Sequence, residues 1–264
     1  MPLIADIEAA LVAHWSQFGR WPKSRLVDSD GLLRLETPIK HLPYNGIVRT
    51  HLGNTADADI ATVTERFHSR DTPWFWFVHP SATPANLEER LLAYGLRSAA
   101  RITCMSLELA EWEPPPLPEH VRFEEVLDDR ALQTYSDLTM DYWQIRLDQQ
   151  PLVAELQRHL GPGRVPGHRY LAFSDGTVVG KGYLSLAGPP GVAAIYGMSV
   201  LPPARGRGVA GALTTTMLQR AKQGGCHRAV LHSTDMALGL YRRAGFVERC
   251  PLALLASSAS RPDH

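Results

Sequence analysis

Ser199-Val-Leu-Pro-Pro-Ala-Arg-Gly-Arg-Gly-Val-Ala-Gly211 closes a β-branched, apolar run and opens a helical one, with three glycines and two arginines at the junction. A strand that stops at Pro202-Pro203 and hands over to glycines turns backbone N–H groups outward at a helix N-terminus, where the macrodipole favours an anion. Glycine suits the loop because a Cβ there would crowd the ligand. Arg205 and Arg207 add charge-assisted donors, and guanidinium groups fit phosphate oxygens in a forked geometry. The junction reads as a phosphate cradle, against the plainer reading of a Gly-rich strand-to-helix turn.

Two kinds of phosphate loop compete. Gly206-x-Gly208-x-x-Gly211 matches the dinucleotide fingerprint G-x-G-x-x-G, with Asp235 near the offset of a ribose-binding acid. That turn follows its strand at once and begins a doubly wound sheet; here Pro-Pro-Ala-Arg intervenes, and too little chain follows for the rest of such a sheet. The nucleotide-hydrolase loop G-x-x-x-x-G-K-[ST] is absent.

Arg205-x-x-Gly208-x-Ala210 resembles the (Q/R)-x-x-G-x-(G/A) signature of the GNAT superfamily of acyl-CoA N-acyltransferases. Downstream, after a helix and the strand Arg228 to His232, Thr234-x-x-Ala237-x-x-Leu240-Tyr241-x-x-x-Gly245-Phe246 is similar to the family's N-x-x-A-x-x-L-Y-x-x-x-G-F stretch. Thr234 stands where that stretch has Asn, and the close resemblance runs from Val192 to Val247. It implies an α/β (α+β) fold with a mixed sheet. It also implies acetyl-CoA as cosubstrate: Met198, Ser199 and Val200 would pair with the pantetheine arm as an added strand. Arg205, Gly206, Arg207, Gly208, Val209, Ala210 and Gly211 would hold the pyrophosphate, with Thr234 close by. Tyr241 matches the family's general acid: a phenol of ordinary pKa ~10 is protonated at neutral pH and can donate as sulfur leaves. A strand amide near Met198 would stabilise the tetrahedral oxyanion. No carboxylate stands on the fourth strand of the second half, so Tyr196, His168 and water all stay open as base.

With 264 residues, the chain accommodates two domains, each able to bury a core. Basic and acidic residues balance at 27 each, which gives no electrostatic ground for a nucleic-acid or membrane-surface partner. No apolar run approaches the ~20 residues of a membrane span, and Asp6 and Glu8 spoil a signal-peptide reading. Three cysteines without a C-x-x-C spacing favour a reducing, cytoplasmic setting over a disulfide framework. Cys226, His227 and His232 fit no standard zinc spacing, nor do His159 and His168, so no metal is expected.

Ile4, Ile7, Leu11 and Trp15 recur at helical spacing. Asp30-Gly31 marks a hairpin between Leu26 and Leu35, and Asn45-Gly46 a turn before another strand. A helix over Asp57 to Phe67, an aromatic strand Pro73 to Val78, a helix Leu87 to Leu92 and a strand Ile102 to Leu109 follow. This order resembles the closing half of a GNAT domain without its cofactor loop. Glu113-Pro-Pro-Pro-Leu-Pro118 is the expected boundary, since consecutive prolines cannot join a sheet and favour an extended spacer. The expected organisation is a degenerate GNAT-like domain over 1–113 and a catalytic N-acetyltransferase domain over 119–264, binding one acyl-CoA per chain.

The second half opens with a strand Val121 to Val126 and a helix from Asp128, in the region that lines the acceptor side of a GNAT-like domain. Asp137, Asp141, Tyr142 and Trp143, with Tyr196, are therefore candidates to hold a cationic amine, against the reading of packed aromatics and a solvated acidic face. A helix Pro151 to Leu160, a Gly/Pro-rich loop to Gly167 that can cover the acceptor, and the Asp175-Gly176 hairpin complete the order. The expected function is acetyl transfer to the primary amine of a small molecule or amino acid. A non-catalytic acyl-CoA sensor and an NAD(P)-dependent oxidoreductase are the alternatives. Strand-edge pairing allows a homodimer, but no residue pattern demands one.

Overall fold

The computed structural model describes residues 2–257. Its first half contains α1 (Pro2–Ser16), the hairpin β1 (Arg25–Ser29) and β2 (Leu32–Glu36), β3 (Gly46–Thr50), α2 (Ala56–His68), β4 (Phe75–Val78), α3 (Leu87–Ala93) and β5 (Arg97–Glu108). Residues 109–120 carry no helix or strand, and Glu113 to Pro118 lie within them. Then come β6 (Val121–Glu125), α4 (Asp129–Tyr142), α5 (Gln150–His159), β7 (Gly167–Ser174), β8 (Thr177–Ser185), β9 (Val192–Val200), α6 (Val209–Gln223), β10 (Arg228–Ser233), α7 (Leu238–Arg243) and β11 (Val247–Ala256).

Local chemistry explains most boundaries. Asp30 and Gly31 both take positive φ (52° and 76°), as do Asp175 and Gly176 (52° and 79°), the conformation a two-residue hairpin turn demands. Asp128 caps α4 by accepting the Ala131 N–H at 2.8 Å. Strand β5 begins at Arg97 rather than at Ile102, because its polar start is held by pairing with β11 (Arg97 opposite Ala256, Ser98 opposite Leu255) and not by an apolar pattern.

All strands form one 11-stranded mixed sheet in the order β1-β2-β3-β4-β11-β5-β10-β9-β8-β7-β6. Strand β5, which precedes the proline-rich linker, lies between β11 and β10, while β11 lies between β4 and β5. Each half thus inserts its last strand into the sheet of the other. Both contain one parallel pair spanned by a helix: β3 with β4 across α2, and β9 with β10 across α6. Helix α1 lies across the seam; Ile7, Ala10 and Leu11 pack in one buried cluster with Val48 and Phe75 of the first half and Val192, Ala194 and Val230 of the second. On the opposite face α6 buries Leu213, Met217 and Leu218 against Ala193, Ile195 and Leu231. Among the described residues no helix is long and apolar enough to cross a membrane.

Candidate active site

The parallel ladder between β9 and β10 runs from Val192–Arg228 to Ile195–Leu231 and stops. Beyond it β9 stays paired only with β8, through a bulge: Tyr196 lies opposite Tyr183 and Ser199 opposite Lys181, so Gly197 and Met198 together face the single residue Gly182 and β9 carries one extra residue. Gly197 takes φ +58°, a left-handed conformation open to glycine at little cost. The β10-facing edge of Met198, Ser199 and Val200 is therefore unpaired, at the mouth of the splay between the two strands.

A 3-10 turn, Pro202–Ala204, carries the chain from this edge to α6. Gly206 (φ +75°) and Gly208 (φ +82°) both sit in left-handed conformations, so backbone strain adds to the steric case for glycine. The first intrahelical bond here runs from Ala212 N–H to Gly208 O, which leaves the amides of Val209, Ala210 and Gly211 ahead of the helix's own ladder. Arg205 Nε donates to Val200 O at 3.0 Å, bracing the loop against the strand end, and Arg207 pairs with Asp175 at 3.1 Å. Thr234 is exposed at the end of β10; its carbonyl accepts Ser233 Oγ at 2.8 Å.

Tyr241, on α7, is 7 % exposed and meets Phe246 edge-on at 5.9 Å. It shares an apolar cluster with Leu213 and Phe246, against which Met198 packs. Burial, reinforced by Tyr142, pushes its phenol up to about 12, so it holds its proton at neutral pH.

On the α1 side of the sheet, next to the bulge, lies a cavity of about 260 Å³ lined from both halves. The first half contributes His14, Trp15 and Phe18 from α1 and its extension, with Phe77 and Ile102 from the sheet. The second contributes Tyr135 and Thr139 from α4, the adjoining Trp143, and a row across three strands. In that row Arg169 of β7 is opposite Tyr183 of β8, which is opposite Tyr196 of β9. Tyr196 is sandwiched between His14 (ring centroids 4.0 Å) and His232 (5.8 Å). The Tyr196 hydroxyl, His14 Nδ1 and both His232 ring nitrogens are closed off from solvent without a hydrogen-bond partner. Desolvation moves both imidazoles down to about 3 and the Tyr196 phenol well up, so all three are neutral near pH 7.

The cavity holds two cationic side chains and no carboxylate. Lys181, 2 % exposed, donates from Nζ to the Gly197 carbonyl at 3.0 Å and lies 4.7 Å from the Tyr135 ring centre. Burial, aided by the like charge of Arg169, brings its amine down to about 7. Lys181 and Arg169 carry no sequence signal of their own, since each stands in a short strand among apolar neighbours and only the fold aims it into the cavity.

Of the residues expected on the acceptor side, Tyr196 and Trp143 line this cavity. Tyr142 approaches Tyr241 instead. Asp137 and Asp141 are exposed on α4 outside the lining, Asp137 bonded to Gln133 at 2.7 Å. His168 Nδ1 is paired with Glu125 at 2.6 Å, away from the cavity. The loop before Gly167 is tied down, with Pro166 O accepting both Tyr183 Oη and Leu186 N–H at 3.1 Å. Among the described residues no group of three or more His, Cys, Asp or Glu side chains is placed to hold a metal ion.

Residues 122–246 match the family model described as Acetyltransferase (GNAT) family. The whole chain resembles a GCN5-related N-acetyltransferase from Kribbella flavida (TM-score 0.72, 19 % identity, 96 % of each chain covered). It is also similar to a tandem GNAT protein from the clavulanic acid biosynthesis pathway (TM-score 0.62, 15 % identity, 92 % of this chain and 85 % of that one). A third likeness is to a GCN5-related N-acetyltransferase from Sphaerobacter thermophilus (TM-score 0.58, 16 % identity, 88 % and 82 % covered). At these identities the likeness is one of fold. No curated protein matches the sequence.

Proposed function

We propose that this protein is an acetyl-CoA-dependent N-acetyltransferase acting on the primary amine of a small molecule. The observation that carries the reading is the unpaired edge of Met198 to Val200, which leads directly into the left-handed glycine loop at the N-terminus of α6. The edge offers backbone groups to the pantetheine arm, and the loop and first-turn amides offer donors to the pyrophosphate. The cavity behind Gly197, at about 260 Å³, supports an acceptor of small size rather than a protein chain. The second half (119–264) is read as the catalytic domain. The first (1–113) is read as a degenerate GNAT-like domain that supplies a wall of the acceptor cavity.

In this reading the acceptor amine, as its free base, attacks the thioester carbon to give a tetrahedral oxyanion, held by the amide near Met198. Lys181, whose amine is brought down to about 7 and which sits at the bulge, takes the proton from the attacking nitrogen when in its free-base form. As the C–S bond breaks, the Tyr241 phenol supplies the proton that leaves with the thiol. The products are the acetamide and free CoA, with no change of oxidation state.

Titration calorimetry with acetyl-CoA, followed by a panel of primary amines under continuous detection of released thiol, tests the proposal. One acetyl-CoA per chain and amine-dependent thiol release are expected. Binding without release for any amine would leave a sensor, and failure to bind would remove the cradle.

A further inference from the structure

Arg169 stands apart from the other buried cations of the protein. It is 8 % exposed, yet no hydrogen bond or ion pair of its guanidinium occurs among the described residues. Its only close partners are two ring faces, Tyr183 at 5.0 Å and Tyr135 at 5.9 Å. Other Arg side chains with little exposure are matched by acids: Arg34 by Glu36, and Arg228 by both Asp6 and Glu108. A guanidinium carries five N–H donors and stays charged at any physiological pH. Without an anion, those donors and that charge at a largely apolar cavity wall go unmatched, where a charge-assisted forked pair would form if an anion were present. Nothing else lining the cavity offsets the charge: the lining has no Asp or Glu, and Lys181 adds the same sign when protonated.

We infer that Arg169 is an anion subsite inside the acceptor cavity, and that the acceptor is an amine that also bears a carboxylate and an apolar body. This rests on the transferase reading for the amine only; the anion subsite stands on the cavity itself. The cross-strand row Arg169–Tyr183–Tyr196 places the guanidinium on β7, two strands, or roughly 10 Å, from the bulged β9 at the mouth of the splay. A ligand clamped at Arg169 therefore reaches the mouth of the splay with its other end, its body lying along Tyr183, Tyr196 and the aromatic wall of α1. One guanidinium matches one negative charge in a forked, planar contact, which a carboxylate supplies. A phosphate dianion would draw on Lys181 for its second charge and hold that amine protonated, whereas a carboxylate is matched by Arg169 alone. The unpartnered Tyr196 hydroxyl and His14 Nδ1 beside this path offer polar contacts for the ligand between its two ends. A diamine or lysine side chain without an acid would instead bring a cation to a wall that already carries one.

The test needs no acetyl-CoA and no turnover. The intact protein is titrated with 3-phenylpropionate, its neutral amide and 3-phenylpropylamine, following the fluorescence of the cavity tryptophans Trp15 and Trp143. The acid is expected to bind at least tenfold more tightly than either the amide or the amine. Arg169→Met should erase that preference, and in the absence of ligand it should raise Tm, because it removes an uncompensated buried charge. Arg169→Lys should keep part of the preference. Acid and amide of equal affinity, tighter binding of the amine, no binding of the acid, or a lower Tm in Arg169→Met would each overturn the inference. Absence of thiol release with every amine, alongside an acid preference that depends on Arg169, would remove the transferase reading and keep the subsite.

Discussion

The two halves build the same motif and treat it in opposite ways. In the second half the parallel pair β9–β10 splays, and the edge from Met198 to Val200 is left without a partner. In the first half the parallel pair β3–β4 is shorter still, Gly46–Phe75 and Ile47–Trp76, but side chains stitch across where it parts. Trp76 Nε1 donates to Thr50 Oγ1 at 2.8 Å, and His79 Nε2 contacts Val48 O at 2.9 Å. Beyond them a bridge joins His51 to Thr83, and the Leu52 N–H donates to Thr83 O at 3.0 Å.

The following helices differ in the same sense. Helix α6 has no acid in its first turn and is entered through Gly206 and Gly208. Helix α2 has Asp57 and Asp59 in its first turn, which would repel a pyrophosphate from a helix N-terminus that otherwise favours it. One architecture thus yields a cleft where backbone groups are left unspent and a closed wall where side chains have used them.

Four variants test that contrast. The largest expected effect is on chemistry in the open half. Tyr241→Phe and Lys181→Met should each lower kcat by about 10²–10⁴-fold with little change in acetyl-CoA affinity, the usual range for a lost general acid or base. In the parent protein the acid limb of the rate should fall near pH 7, because Lys181 becomes protonated below its lowered pKa of about 7. The pH dependence of stability runs the same way. Unfolded Lys181 binds its proton up to about 10.5 and the folded form only up to about 7, so the cost of burial shrinks as pH rises between these values. Thermal melts across that range should therefore show Lys181→Met gaining more over the parent protein at pH 7 than at pH 10. An unchanged kcat would remove the assignment.

Gly208→Val comes next. A β-branched residue at φ +82° costs of order 1–3 kcal/mol, so acetyl-CoA binding should weaken by roughly ten- to a hundredfold in calorimetry while kcat at saturation changes little. The smallest functional effect is expected in the closed half. Trp76→Phe removes the stitch to Thr50 and leaves its hydroxyl buried, which should destabilise the protein by about 1–3 kcal/mol while acetyl-CoA still binds at one per chain. A second acetyl-CoA bound by that variant would show that the stitch, and not the acidic first turn of α2, had closed the first half.

What could be read in advance follows the range of the interactions. The glycine loop, the strands flanking Asp30-Gly31 and Asp175-Gly176, the linker and the stretch around Tyr241 are local matters of backbone conformation, charge and periodicity. They lie in consecutive residues, and the likeness to the GNAT family over 122–246 was legible from them. The acceptor side was not. Asp141 and Trp143 are two residues apart on one apparent helical pattern, yet Asp141 faces solvent while Trp143, at the end of α4, lines the cavity. Residues two apart on a helix point to different faces, so periodicity separates the pair without saying which face meets the cavity.

The chain's local order thus determined where backbone amides are left free, at the place proposed for acyl-CoA. The tertiary structure alone decided what faces the cavity, because the exchange of β5 and β11 between the halves and the crossing of α1 over the seam bring together residues as distant as His14 and His232. Burial in that shared interior then changes the chemistry of the groups it encloses. An ordinary lysine in the sequence is held near neutrality next to Gly197, and an ordinary arginine is left without an anion. Desolvation is a property of the packed assembly and not of a residue's neighbours along the chain.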